Sequence, residues 1–426
     1  MNIENLHQLY LKCTSISTDT RKIEKNSMFF ALKGGNFDAN TFTSQALEKG
    51  ANYVIIDNEN YYINSQTILV KDVLETLQDL AKFHRNYLKI KIIALTGSNG
   101  KTTTKELINV VLSKKFRVKA TYGNLNNHIG VPLTILSFNE QTEIGIVELG
   151  ANHQKEIEFL CQITQPDYGY ITNFGKAHLE GFGGIEGVIK GKSEMYNYLI
   201  QEDKIAFINF DDILQEQKTK FIQRFSYSVK NKNSDLYIEK IVANPFVEIK
   251  FNQETIKSNL IGIYNSNNII ASILIGTYFK VSDEDINEAI SNYFPNNNRS
   301  QLVHKNNFTI ILDAYNANPS SMKVALENFI QLEDKNKIII LGDMFELGNE
   351  SAEEHHEIIN YLTNFPSIHC YFVGLNFFEN KKQQTNFSFY KNFEEFKTGF
   401  YIENKSSMVL IKGSRGMALE RVLDLL

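Results

Sequence analysis

The chain has 426 residues and a formal charge of −5, and its composition excludes several classes of protein. Hydrophobic residues make up 42% and charged residues 22%, which is ordinary globular usage and excludes a disordered or fibrous chain. The sequence has neither a broad basic field for a nucleic acid backbone nor a run of about 18 apolar residues for a membrane span.

Apolar runs and helical spacing predict a small α/β unit at the start of the chain. Residues 28–32 and 53–56 are short apolar runs typical of buried strands. Residues 43–49 are expected to form a helix that ends at Gly50, and apolar spacing predicts a second helix over 73–87.

Strands alternate with helices through the rest of the chain. This pattern predicts a parallel, doubly wound sheet in the second segment and a smaller α/β domain in the third. The predicted strands are residues 90–95, 144–147, 168–172, 204–209, 308–312, 337–341, 371–373 and 408–411, and the helices between them include 101–112 and 320–332. At roughly 150 residues per domain, we expect three domains, with boundaries at 1–88, 89–296 and 297–426.

The strongest local signal is a Gly-rich turn between the predicted strand 90–95 and the predicted helix 101–112. Glycines let backbone N–H groups turn toward phosphate oxygens, and the helix N-terminus adds partial positive charge. Lys101 would reach the β- and γ-phosphates of a nucleotide, and the Thr102 hydroxyl would face Mg²⁺. Leu95 replaces the first glycine of the general pattern, so the loop is a shortened form. The predicted nucleotide-binding residues of the turn are Gly97, Ser98, Asn99, Gly100, Lys101, Thr102 and Thr103.

Two further polar residues follow predicted strands. Glu148 is either an Mg²⁺ ligand beside the phosphates or an exposed carboxylate at the strand end. His178 could ligate a metal, meet a substrate or bond only to backbone. On the residues alone, Lys190 and Lys192 are expected to be solvated, since an ammonium group repels a metal ion.

The phosphate loop, Glu148, His178 and Lys192, in that order, resemble the Mur ligases. These ATP-dependent amide ligases build the peptide stem of bacterial peptidoglycan. The resemblance runs nearly end to end and is closest to the branch that adds D-alanyl-D-alanine to UDP-N-acetylmuramoyl-tripeptide. The segments that indicate this branch are residues 148–153, 177–183, 313–319, 341–348 and 412–417, which include Tyr-Asn-Ala-Asn-Pro and Gly-Asp-Met-Phe-Glu-Leu-Gly.

The resemblance implies a UDP-sugar domain, a central ATP domain and a Rossmann-like domain that closes over both. Lys101, His178 and Lys192 are then catalytic, and two Mg²⁺ ions are expected. Thr102 would hold the first ion, and Glu148 would bridge to a second, bound also by His178 and a carbamylated Lys192.

The remaining contacts are also implied by the resemblance. Nucleotide contacts are expected from Asn268, Arg299 and Asp313, with Tyr315 against the nucleotide. Uridine-nucleotide contacts are expected from Ser17, Thr18, Arg21 and Lys33, and dipeptide contacts from Asn316 and Asn318. The chain departs from the family at Asn40 and Tyr264, which replace usual histidines. His355 matches a recurrent family histidine, and the adjacent His356 points elsewhere on a helix, which argues against a paired metal site.

The implied reaction forms an acyl phosphate from ATP and the tripeptide carboxylate, which the amine of D-alanyl-D-alanine then attacks to give the pentapeptide. Two alternatives remain: another Mur-like amino-acid ligase, and a P-loop switch ATPase that hydrolyses nucleotide without these substrates.

Cys13, Cys161 and Cys370 form no disulfide framework, and Met1 to Tyr10 lack a secretory signal. We therefore expect a cytoplasmic protein. We also expect a monomer that binds no nucleic acid.

Overall fold

The computed structural model describes residues 1–333, 336–402 and 406–426, which form three α/β domains in chain order. The predicted fold class, a central doubly wound sheet with a smaller α/β domain on each side, is confirmed. The predicted elements named above are all present, and their ends agree to within two residues. No helix in the described part of the chain has the length and apolar character needed to cross a membrane.

The first domain contains a four-stranded parallel sheet, a hairpin and three helices. Its sheet strands are β1 (Ile16–Ser17), β2 (Met28–Phe30), β5 (Tyr53–Ile56) and β6 (Thr67–Leu69), its hairpin is β3 (Lys33–Gly34) with β4 (Phe37–Asp38), and its helices are α1 (Ile3–Tyr10), α2 (Thr43–Glu48) and α3 (Val73–Leu88). The sheet order is β1-β2-β5-β6. Strands β2 and β5 are apolar because both of their faces are covered.

The central domain contains a seven-stranded parallel sheet. Its strands are β7 (Lys91–Thr96), β8 (Val118–Ala120), β9 (Ile144–Glu148), β10 (Tyr168–Ile171), β11 (Ile205–Asn209), β12 (Gln223–Ser228) and β13 (Leu236–Tyr237). The order is β13-β12-β11-β10-β7-β9-β8, so the chain runs from β7 to the edge strand β8, returns to β9 beside β7, and then crosses to β10 on the other side. The carboxyl end of β7 therefore opens on a topological switch point, where α/β sheets bind ligands.

Helices and a small antiparallel sheet complete the central domain. The helices are α4 (Lys101–Leu112), α5 (Gly130–Leu136), α6 (Glu156–Thr164), α7 (Leu179–Phe182), α8 (Ile185–Gln201), α9 (Ile213–Lys218), α10 (Ser266–Tyr278) and α11 (Asp283–Ser291). The antiparallel strands are β14 (Lys240–Ala243), β15 (Phe246–Phe251) and β16 (Glu254–Ile261). We did not predict this antiparallel sheet from the sequence.

The third domain contains a six-stranded sheet in the order β17-β18-β22-β19-β20-β21. Its strands are β17 (Gln301–Lys305), β18 (Phe308–Asp313), β19 (Lys337–Gly342), β20 (His369–Val373), β21 (Phe387–Tyr390) and β22 (Ser407–Lys412), and its helices are α12 (Pro319–Gln331), α13 (Ser351–Leu362), α14 (Leu375–Glu379) and α15 (Phe393–Gly399). The edge strand β17 is antiparallel to β18, and the other pairs are parallel.

A buried histidine pair joins the first domain to the central domain. His84 Nε2 lies 3.0 Å from the carbonyl oxygen of Phe138, so this nitrogen carries the hydrogen. In the neutral ring, His84 Nδ1 then accepts from His7 Nε2, 3.0 Å away. Burial and the neighbouring His84 lower the pKa of His7 to about 4, and burial also lowers the pKa of His84.

This histidine pair predicts a loss of stability in mild acid. An unfolded histidine has a pKa of about 6.5, so between pH 6.5 and 4 the unfolded chain binds a proton that folded His7 does not. Stability is retained above this window and falls as the pH drops through it. From pH 7 to pH 5, the free energy of unfolding should fall by about 2 kcal/mol more in the wild type than in His7→Gln. Urea unfolding at both pH values measures this difference.

His356→Gln is the matched control, because His356 is exposed on α13. Its pH-dependent fall should equal that of the wild type. An equal fall in His7→Gln would show that the buried pair does not carry the effect.

Candidate active site

The phosphate loop connects β7 to α4 with two glycines in left-handed backbone conformations, at φ +141° for Gly97 and +80° for Gly100. A Cβ at Gly97 would lie 2.0 Å from Thr172 Oγ1, and one at Gly100 would lie 2.4 Å from Asn268 Oδ1. Both conformation and space therefore require glycine at these positions.

The loop after β10 holds the phosphate loop in place. The Asn99 carbonyl accepts hydrogen bonds from Thr172 Oγ1 at 2.6 Å and Asn173 Nδ2 at 3.0 Å. The Asn99 N–H donates to Asn173 Oδ1, and Ser98 Oγ donates to the Gly175 carbonyl. Two neighbouring strand ends of the central sheet thus fix the shape of the turn.

Lys101 bends back over the phosphate loop. Its Nζ donates to the Gly97 carbonyl at 2.7 Å and lies 3.4 Å from the Ser98 carbonyl. Burial lowers the pKa of Lys101, the carboxylate of Glu148 opposes this shift, and Arg299 adds to it. The ammonium group is thus positioned where phosphate oxygens would compensate its charge.

Glu148 is the last residue of β9 and lies within the site. Its Oε2 accepts from Thr102 Oγ1 at 3.0 Å, and its Oε1 accepts from Asn126 Nδ2 at 2.8 Å. The residue is 2% exposed, so the alternative of a solvated carboxylate at the strand end is wrong. A hydroxyl and a carboxylate in contact beside a phosphate loop form a hard oxygen pair, which suits Mg²⁺.

His178 lies on the wall of the cleft and contacts the third domain. Its Nδ1 bonds to the carboxylate of Glu346, and this bond holds the pKa of Glu346 below its usual value. His178 and Glu346 both have positive φ angles, 53° and 63°. Non-glycine residues in this conformation are uncommon and concentrate at functional sites.

The expectation of a solvated side chain holds for Lys190 and is wrong for Lys192. Lys192 is 1% exposed because α8 turns it inward, whereas Lys190 lies on the exposed face. Lys192 Nζ donates to the Ala151 carbonyl at 3.2 Å and lies 5.0 Å from the centre of the Phe182 ring. Burial lowers the pKa of Lys192 well below its usual value, and the charge of Lys101 lowers it further.

The predicted nucleotide contacts surround the same loop. Asn268 Oδ1 accepts from Thr104 Oγ1 at 3.0 Å, so Asn268 packs behind the start of α4. The Arg299 guanidinium lies 3.7 Å from the centre of the Tyr315 ring. Its Nε is buried without a hydrogen-bond partner among the described residues.

Asp313 belongs to a chain of hydrogen-bonded polar side chains at the carboxyl end of β18. Its Oδ2 accepts from Lys412 Nζ at 2.6 Å, and its Oδ1 accepts from the Ser300 N–H at 3.1 Å. The Tyr264 hydroxyl lies 2.7 Å from Ser300 Oγ, and burial raises the pKa of Tyr264. Tyr264 therefore connects the central domain to the first residues of the third.

Asn316 and Asn318 extend the site into the third domain. Asn318 caps α12 through Ser321, and its Nδ2 donates to Asn99 Oδ1 at 2.7 Å. Asn316 Oδ1 accepts from the Ala317 N–H at 2.9 Å. The phosphate loop therefore contacts the third domain directly.

A cleft of about 850 Å³ lies between the central and third domains. The predicted residues that line it are Ser98, Asn99, Gly100, Lys101, Thr102, Thr103, Glu148, His178, Asn268, Arg299, Asp313, Tyr315, Asn316 and Asn318. Lys192 lies one layer behind, against Ala151 in the cleft wall. Among the described residues, no group of three or more His, Cys, Asp or Glu side chains is arranged for a metal ion.

The predicted uridine-nucleotide residues lie outside this cleft, near the strand ends of the first domain. Ser17 ends β1 and Thr18 follows it, and Arg21 pairs with Asp19 through a short turn. Lys33 pairs with Asp57 at 2.8 Å. The buried Asn40 donates to the same carboxylate at 2.8 Å, so it takes part in the structure of this site.

Four residues that contact the predicted site residues had no role predicted from the sequence: Asn126, Asn173, Glu346 and Lys412. Asn173 directly follows a predicted strand, as Glu148 does, and that position was a usable signal. Asn126 lies in a polar run after β8, while Glu346 and Lys412 lie in motifs noted for their resemblance. His355 is buried, and its Nε2 accepts from the Met344 N–H at 3.0 Å, which supports the turn before Glu346. His356 is exposed, as expected.

Three family models match the chain. The "Mur ligase family, catalytic domain" model matches residues 12–85, the "Mur ligase middle domain" model matches 95–276, and the "Mur ligase, glutamate ligase domain" model matches 298–415. Together they span most of the chain.

Full-length relatives and solved structures agree with these models. The UDP-N-acetylmuramoyl-tripeptide–D-alanyl-D-alanine ligase of Bacillus subtilis is 34% identical over 96% of this chain and 92% of its own length. A structure of MurF from Acinetobacter baumannii superposes with a TM-score of 0.85 at 29% identity, covering 100% of this chain and 98% of that one. MurF ligase from Thermotoga maritima in complex with ADP gives 0.83 at 26%, with coverages of 98% and 97%.

Gly97→Ala should abolish nucleotide binding without unfolding the protein. A Cβ would meet Thr172 Oγ1 at 2.0 Å in a backbone conformation that alanine disfavours, so the turn must shift. Titration calorimetry with Mg-ADP should show affinity reduced at least about 100-fold, since the N–H groups of the turn would no longer point to one place. Gly35→Ala is the control, because no atom lies within 4 Å of its Cβ position. Wild-type affinity in Gly97→Ala would contradict the assignment of the loop.

Proposed function

Because the chain belongs to the Mur ligase family, we propose that it joins D-alanyl-D-alanine to UDP-N-acetylmuramoyl-tripeptide in an ATP-dependent reaction that yields the pentapeptide and ADP. The observation that carries this proposal is the single cleft shared by the phosphate loop, Glu148 and His178 of the central domain and Arg299, Asp313 and Asn316 of the third. The B. subtilis relative carries this activity in its name.

The chemistry proceeds in two steps. A carboxylate oxygen of the tripeptide attacks the γ-phosphorus of ATP, and ADP leaves. The amine of the dipeptide then attacks the acyl carbon of the resulting acyl phosphate, loses a proton and expels inorganic phosphate. Lys101, whose Nζ lies over the phosphate loop, would neutralise charge on the phosphoryl group during the first step. The third domain excludes water from the acyl phosphate, which would otherwise be hydrolysed.

We propose that Thr102 and Glu148 hold one Mg²⁺ ion, because their buried oxygens lie 3.0 Å apart at the phosphate loop and suit this cation. Mg²⁺ supplies charge neutralisation at phosphate oxygens. A second ion would be held by Glu148, His178 and a carbamylated Lys192. An unmodified lysine has no anionic oxygen to bind Mg²⁺, so the second ion requires the carbamate on Lys192.

The environment of Lys192 supports carbamylation. A free ammonium is a poor occupant of a buried site, and the lowered pKa of Lys192 favours the neutral amine, the form that reacts with CO₂. The product ends in two anionic oxygens. Carbamylation would therefore add a negative charge near Lys101.

The two substrates are assigned to different domains. In the first domain, Ser17, Thr18, Arg21 and Lys33 would bind the uridine nucleotide, with the two cations near its diphosphate. In the third domain, Asn316 and Asn318 would meet the dipeptide.

The free thiols Cys13, Cys161 and Cys370 agree with a reducing compartment, and we place a monomeric enzyme in the cytoplasm.

Coupled product formation tests the proposed function. Purified protein with Mg-ATP and UDP-muramoyl tripeptide should release phosphate in proportion to pentapeptide only when D-alanyl-D-alanine is present. Lys101→Met should lose nearly all of both, about 100-fold or more, because the transferring phosphoryl group loses its neutralising charge. Phosphate assay and mass spectrometry read the two products. Hydrolysis indifferent to both substrates would instead indicate a P-loop switch ATPase, and coupling to a different amine would indicate another Mur-like ligase.

Lys192→Ala tests the carbamate. The variant should bind ADP normally and ligate about 100-fold more slowly, and a short carboxylic acid should restore part of the rate by replacing the carbamate oxygens. Acetate and formate at increasing concentration, compared with chloride at equal ionic strength, provide the measurement. Lys190→Ala, at an exposed position two residues away, should keep the wild-type rate. A folded Lys192→Ala that no acid restores would count against carbamylation.

A further inference from the structure

The loop that carries His178 is held by the third domain at three points. The Lys176 N–H donates to Ser320 Oγ at 2.8 Å, and Lys176 Nζ lies 2.6 Å from Glu354 Oε1. Two residues further on, His178 Nδ1 bonds to Glu346. The start of the same loop is tied to the phosphate loop through Asn173. One segment therefore connects the phosphate loop to the third domain.

The Lys176–Glu354 pair differs from an ordinary surface ion pair. The Glu354 side chain is 7% exposed, and Lys176 reaches it from a position that is 47% exposed. Removing one partner of a nearly buried pair leaves an uncompensated charge, which is costlier than losing a solvated pair.

We infer that Lys176 and Glu354 form an interdomain ion pair that positions the His178 loop, so that the site becomes complete only when the third domain is docked. Lys176 is a positioning residue, because it acts through the loop and does not line the cleft. The inference rests on the proposed ligase function and assigns it a structural control: chemistry at the γ-phosphate waits for the domain that brings the dipeptide.

The pair should affect turnover more than nucleotide binding. Lys101 belongs to α4 and Asn268 to α10. Their contacts with the phosphate loop and the start of α4 do not involve Lys176. Loss of the pair leaves those contacts intact while the His178 loop loses one of its three bonds to the third domain. A displacement of about 1 Å at a reacting group can lower a rate about 100-fold.

Four variants of the full-length enzyme test the inference: Glu354→Gln, Lys176→Met, the double variant, and Lys176→Arg. The first two should lower kcat about 10- to 100-fold and leave the KM for ATP within about twofold. The double variant should be no slower than either single one, because both remove the same interaction. Lys176→Arg keeps the charge and should restore most of the rate. Glu239→Gln, which breaks an ion pair with Lys250 inside the antiparallel sheet of the central domain, should behave like the wild type.

Small-angle scattering provides a readout independent of activity. Without ligands, the radius of gyration of the wild type should match the docked arrangement, and that of Glu354→Gln and Lys176→Met should be larger. ADP affinities of the variants should stay near wild type, which separates positioning from misfolding. Additive losses in the double variant, or wild-type kcat and scattering in both single ones, would overturn the inference. Absence of ligation by the wild-type protein would instead reject the proposed function.

Discussion

The structure of the candidate active site depends on the hydrogen bonds made by Asn99. Its carbonyl accepts two bonds from the loop after β10, and its side chain accepts one from Asn318 of the third domain. A short phosphate-binding turn must keep its own N–H groups directed at the ligand, so it cannot use them all to stabilise itself. Partners from outside the turn supply the missing bonds. The shape of the phosphate loop therefore follows the positions of two other segments of the chain.

At the centre of the site, the two lysine side chains are not fully compensated by the carboxylate of Glu148. Lys192 is buried and Lys101 is half-buried, and the charge of Lys101 makes Lys192 harder to keep protonated, while Glu148 shares its two oxygens between a hydroxyl and an amide. Burying charge without a close partner costs folding free energy. The proposed substrates carry phosphate and carboxylate groups, and their binding would relieve that cost. The charges that lower the free energy of unfolding in the unliganded protein are thus the ones that would favour binding of anions.

Local patterns explain what could be predicted. A buried strand, a Gly-rich turn and a helix are adjacent in sequence, so the phosphate loop and the strand-end position of Glu148 followed from spacing. Lys192 could not be placed in the same way, because Ala151 and Phe182 cover it only after the chain has folded. The contact between Asn99 and Asn318 joins residues 219 positions apart. The antiparallel strands at 240–261 alternate apolar and charged residues, which gives a weaker signal than the buried parallel strands.

The distance along the chain between helices α4 and α10 has a consequence for synthesis on the ribosome. Helix α4, which begins at the phosphate loop, packs in one hydrophobic core with α10, which starts more than 150 residues later. At about 5–20 residues per second, roughly 8–30 s pass before α10 can cover it. During that interval the nascent chain exposes Leu107, Ile108 and Val111, residues that are fully buried in the finished fold. The order of synthesis therefore leaves this apolar face of α4 without its covering helix for many seconds.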